Sequence, residues 1–160
     1  MSDFDGFVLA RALHVLGVVL WIGGVAFVTT VLIPSVRQLD QAGMRLDLFE
    51  RLEGRFAWQA RLTTLLTGLS GFYMLYFLNA WDRYQQAQFW WIHLMTAVWI
   101  IFMLVLFVLE PLFLHRWFHR LAERDDARAF RLVQRMHVIL LSISLLAVLG
   151  GVAGAHGGLS

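Results

Sequence analysis

The sequence predicts an all-α, integral-membrane four-helix bundle, up-down in topology, with both termini on the outer side. Three observations carry that expectation. Hydrophobic residues make up 59% of the 160 and charged residues 15%, and the apolar residues fall in four long blocks, not in the alternation or stripes of a soluble core. Each block is near the ~20 apolar residues that cross a bilayer as a helix. The basic residues crowd into two of the three connections.

Taken in order, the predicted spans are 7–33, 62–79, 89–114 and 132–155, within a single domain covering 1–160. The first block is read as a span and not as a signal peptide, because it lacks a basic n-region, is too long for an h-region and shows no small-residue cleavage site. Pro34 follows it, where proline stops a helix. Residues 38–61 place Leu39, Leu46, Phe49 and Leu52 among charges, which predicts an amphipathic cytoplasmic segment on the membrane surface. The outer connection, "WDRYQQAQFWW", has the tryptophan and tyrosine of an interfacial belt. "TTLLTGLSG" in the second span and Gly150, Gly151 and Gly154 in the fourth put small residues where backbones, or a flat ligand, approach closely. Short connections make successive helices antiparallel neighbours.

Arginine sets the expected orientation. Arg37, Arg45, Arg51, Arg55 and Arg61 lie after the first span, and Arg116, Arg120, Arg124, Arg128, Arg131 and Arg135 lie around the third connection. The opposite side has only Arg11 and Arg83, so the positive-inside rule puts the two longer connections in the cytoplasm of a bacterial-type inner membrane. The sequence pI of about 9.7 then follows from arginines beside anionic headgroups, and no nucleic-acid partner is implied. The chain contains no cysteine, which excludes disulfides, thiolate ligands and cysteine nucleophiles. It contains no lysine either: all 13 basic residues are arginine. No phosphate-binding glycine loop, zinc-protease motif or Ser–His–acid arrangement is present, so hydrolase and nucleotide-driven pump are poor readings.

The six histidines divide by side. His14, His93 and His156 fall toward the outer face, His115, His119 and His137 toward the inner one. His14 lies ~10 Å inside the first span by helical rise. His14, Gly17, Trp21 and Gly24 share one helical face: a nitrogen donor, an aromatic wall and two gaps. His93, one turn into the third span, falls within ~5–6 Å of the same depth. His137 lies a turn and a half into the fourth span, where His115 or His119 would complete a second site. Neutral imidazole is the usual axial ligand of b-type haem, and an imidazole below the headgroups must find a partner. The plain alternative is a histidine bonded to helix backbone or interfacial water. Glu110, before Pro111, is a candidate proton relay or a partner for a nearby arginine.

The stretches "LHVLGVVLWIGGVAF" and "FWWIHLMTAVW" resemble the first and third helices of the CopD-type copper-resistance membrane domain and of HemJ-type protoporphyrinogen oxidases. The resemblance implies a small membrane protein with b-type haem, and it maps the two helix histidines of those families onto His14 and His93. HemJ-type sequences carry a lysine two residues after the second histidine, where this chain has Met95, so protoporphyrinogen oxidation is not expected.

The leading expectation is a membrane haem b protein in electron transfer or a small redox reaction. Haem would lie between His14 and His93, with Gly17, Trp21 and Gly24 shaping the pocket; a second haem would use His137 with His115 or His119. If the protein is an enzyme, it is an oxidoreductase. Expected partners are the bilayer, a quinol or periplasmic redox protein, and a second copy of the chain. The alternatives are copper handling through His93 and Met95, since imidazole and thioether suit copper(I), and a cofactor-free accessory subunit docking through its arginine-rich connections.

Overall fold

A computed structural model describes residues 3–156, and among them every regular element is helical. Four rods form. The first runs from α1 (Asp3–Phe27) through a π-helical segment, Val28–Leu32, into the short α2 (Ile33–Val36). The second is a single helix, α3 (Ala42–Phe77). Two 3-10 turns, Trp81–Gln85 and Ala87–Phe89, lead into the third rod, made of α4 (Trp90–Leu104), a π-helical segment Val105–Leu114 and α5 (His115–Arg124). The fourth is α6 (Asp126–Ala155).

Three helices are long and apolar enough to cross a membrane: Phe4–Val36, Ala87–Arg124 and Asp126–Ala155. The second rod is not among them, although 62–79 was expected to span. Its membrane-length half carries Thr63, Thr64, Thr67 and Ser70, all buried. Most of these hydroxyls close onto the preceding turn of their own helix: Thr63 donates to Gln59 O (3.0 Å), Thr67 to Thr63 O (2.8 Å) and Ser70 to Leu66 O (2.6 Å). The polar groups thereby lose little on leaving water.

Two predicted connections prove helical. From Ala42 onward, the segment expected on the membrane surface is the first half of α3, in line with the second half. Continuing a helix costs less than stopping and renucleating it, and Phe49, Ala57 and Ala60 are buried against other rods. The third connection folds as α5 and the start of α6, separated only at Asp125. There the Asp125 carboxylate caps α6 by accepting from the Arg128 amide (2.9 Å). At the other end, α3 stops at Asn79, whose φ of 48° is the left-handed C-cap geometry asparagine tolerates. The Ala80 amide returns to Leu75 O (2.9 Å).

The core has two storeys. At the arginine-rich end, Ile33, Val36, Phe49, Phe118, Ala129 and Phe130 pack together. In mid-bundle, Trp21, Val25, Ala60, Val98, Phe102 and Ala147 do so. The first and second rods pack antiparallel along most of their length, and α4 packs on α6. Close approach depends on missing side chains. A Cβ at Gly17 would lie 3.2 Å from the Thr63 carbonyl, and one at Gly150 would meet Trp90 at 2.9 Å. Large apolar residues such as Val19, Leu104 and Leu149 point outward.

These contacts predict opposite effects for two nearby glycines. Gly17→Ala should destabilise by about 1–3 kcal/mol, because the Thr63 backbone cannot withdraw. Gly23→Ala, with nothing within 4 Å of its added carbon, should stabilise by up to about 1 kcal/mol through helix propensity. Unfolding in detergent micelles measures both, and equal effects would refute this account of the helix contact.

Candidate functional site

The half of the bundle away from the arginine-rich connections holds His14. Its Nδ1 lies 2.8 Å from the Thr67 carbonyl on α3. A carbonyl only accepts, so Nδ1 is the protonated nitrogen and donates. Nε2 is left with its lone pair and has no partner among the described residues. Gly71 gives the ring room: a Cβ there would meet the imidazole Cε1 at 3.1 Å. Gly17 and Gly24, expected to flank a flat ligand, are filled by side chains from α3, Thr67 and Phe56 respectively. Trp21 is 3% exposed and stands edge-on to Phe102 with centroids 4.9 Å apart. Its Nε1 has no hydrogen-bond partner among the described residues.

His93 is exposed and turns away from the α4 face that buries Trp91, Val98 and Phe102. Its Nε2 donates to the Tyr84 carbonyl (2.9 Å), and its ring stands edge-on to Tyr84. Tyr84 is itself held by Thr96 (2.7 Å). The structure therefore leaves His14 and His93 with separate partners on separate surfaces. Met95 faces the other way, its Sδ 2.9 Å from where a Cβ on Gly151 would lie, so the imidazole and thioether of the copper reading point in different directions. His156 is exposed and donates to Val152 O (2.8 Å).

The arginine-rich half does bring predicted residues together. A cavity of about 110 Å³ lies between α3, the Val105–Leu114 segment, α5 and α6, and His115 and His137 both line it. His137 donates through Nδ1 to Val133 O (2.9 Å) on its own helix. A cavity of this size takes a few waters or a very small molecule, well below the ~300–1,000 Å³ of an organic-cofactor site. Among the described residues, no group of three or more histidines and carboxylates is arranged to hold a metal ion.

The same cavity is lined by three carboxyls: Glu50, Glu53 and Glu110. Glu110 pairs with Arg61. Glu50 pairs with His119 (3.0 Å), which also reaches Glu123 (3.3 Å). The hydrogen bond that His119 donates to Glu50, and the charges of Glu50 and Glu123, hold the His119 imidazole above its ordinary value. Burial, with help from the Glu110 charge, pushes the Glu53 carboxyl up from 4.5 to about 7.

Arg61 is positioned by a break in the opposite rod. In a π-helix the amide of residue 111 would donate to the carbonyl of residue 106, but Pro111 has no N–H. Arg61 Nε donates to Leu106 O instead (3.0 Å), and its terminal nitrogen reaches Glu110. Sequence reasoning singled out Glu110 but not Glu50, Glu53 or Arg61. Their signal is the spacing 50, 53, 57, 60–61, one face of a helix, visible once 42–77 is taken as a single helix.

Comparison with protein-family models, with curated proteins and with solved structures gives no match.

The clamp is testable by a double-mutant cycle. Arg61→Ala should cost about 2–3 kcal/mol, the low end for breaking a buried pair, since the two side chains keep 25% and 21% of their exposure. In a Pro111→Ala background the restored amide can take the Leu106 carbonyl, and the same change should cost about 1 kcal/mol less. Costs that add to within a few tenths would show that Pro111 is not what places Arg61.

Proposed function

We propose that this chain is a multi-pass protein of a bacterial-type inner membrane, with both termini outside, that carries one b-type haem near the outer face with His14 as an axial ligand. The observation that carries the reading is the state of His14. Metal-bound imidazoles characteristically donate their second nitrogen to a carbonyl or carboxylate, which fixes tautomer and ring orientation. His14 already does this at Thr67 O, in the middle of an apolar helix, and its free Nε2 has the chemistry of a ligand. The resemblance of the two helix stretches to CopD-type and HemJ-type proteins points the same way.

In this reading Thr67 O fixes the ring orientation and keeps the Nδ1 side of the imidazole as the donor, and Gly71 leaves the ring free to lie against α3. His93 is the second ligand; it must exchange the Tyr84 carbonyl for the metal, with Thr96 retaining Tyr84. Bound there, haem supplies one-electron redox chemistry at a potential set by its axial ligands. Gly17, Gly24 and Trp21 act in helix packing and not in the pocket. The inner histidines take no haem.

The protein purified in mild detergent should contain about one iron per chain and show a low-spin b-type spectrum on reduction with dithionite. His14→Ala should abolish the spectrum, His93→Ala should leave a weakly held five-coordinate haem, and His119→Ala should change nothing. Copper in place of iron, or no metal at all, would refute the haem assignment in favour of copper handling or an accessory role.

Orientation rests on the arginine distribution. A periplasm-dependent reporter fused after residue 160 should be active and a cytoplasm-dependent one silent; the reverse pattern would invert the orientation.

A further inference from the structure

Three carboxyls line the inner cavity, and they are not equivalent. Glu110 has a guanidinium, that of Arg61, and Glu50 has an imidazole, that of His119. Glu53 has neither an ion-pair nor a hydrogen-bond partner among the described residues, and it shares the cavity with aromatic side chains such as Phe56 and Phe118. The groups around it are Glu50 and Arg61 from α3, Glu110 from the π-helical segment, His115 and His119 from α5, and His137 from α6. Arg61, the nearest fixed cation among them, is already divided between Glu110 and the Leu106 carbonyl. A carboxylate so placed faces two like charges with little water, whereas the neutral acid suits apolar walls.

We propose that Glu53 is a proton-exchange site: its carboxyl takes up and releases a proton in exchange with the arginine-rich side of the protein through the Glu50–His119 pair. The step breaks one O–H bond at Glu53 and forms one at a water in the cavity or at Glu50, with no change of oxidation state. Nothing in it depends on haem. It gives the bundle a store of one proton at its arginine-rich end, available to any reaction that draws protons from that side.

The test is infrared difference spectroscopy of the full-length protein in detergent micelles across about pH 5 to 9, following the C=O stretch of protonated carboxyls. One carboxyl should titrate with a midpoint of about 7. Glu53→Gln should remove it and Glu50→Gln should retain it. Glu110→Gln should move the midpoint to lower pH, because it deletes a like charge and frees Arg61 to face Glu53. If Glu53→Gln does not purify as a monodisperse protein, Glu53→Asp decides the question by keeping an acid while shifting its band. The absence of any carboxyl titrating near neutral pH, or a signal unchanged by both Glu53 substitutions, would overturn the proposal.

Discussion

The arrangement at the arginine-rich end of the bundle depends on a single guanidinium. Pro111 denies the Leu106 carbonyl its helical donor, and an unpaired carbonyl beside apolar helices is costly. Arg61, on the opposite rod, supplies the missing N–H and uses its other end to neutralise Glu110. Two deficits on one rod are thus met by one side chain from another, which fixes how α3 and the Val105–Leu114 segment sit together. The cavity lies beside this clamp. Because Arg61 is spent there, Glu53 has no cation of its own, and burial first, then the Glu110 charge, pushes its carboxyl up.

The opposite half is organised differently. There α1 meets α3 through groups with little or no side chain: Gly17 faces Thr63 and Thr67, and Gly71 faces His14. Between helices that are apolar on nearly every side, such close approach and its hydrogen bonds supply specificity that apolar contact alone does not. His14 contributes the cross-rod bond to Thr67 O. The bond both clasps the two rods and sets which imidazole nitrogen is left without a partner among the described residues. On α4 the indole of Trp99 makes a parallel contact, donating to Thr64 O (2.9 Å) above Gly68.

The polar residues of the bundle thus fall into two kinds. Thr63, Thr67, Ser70 and Ser144 return to carbonyls of their own helix, and they cost little and specify little. His14, Arg61, Trp99 and Gln134, which donates to Thr29 O (2.9 Å), bond across rods and hold one particular packing. A polar group satisfied only from another helix penalises any slip in register by the loss of its partner.

By itself the sequence determined the helical class, the approximate position of each rod and where along its rod each histidine falls, because apolar block length and helical rise are local quantities. It also placed Glu110 near a plausible arginine, since Pro111 marks the break. Only the tertiary structure decided that residues 42–77 form one helix, that His93 and Met95 look in opposite directions, and that Glu50, Glu53, Glu110, His115 and His137 converge on one cavity. Rotation of a helix about its own axis is weakly marked in a chain that is apolar on nearly every side. In such a chain the facing of each histidine is settled by which partners the neighbouring rods present, and those partners lie far away in sequence.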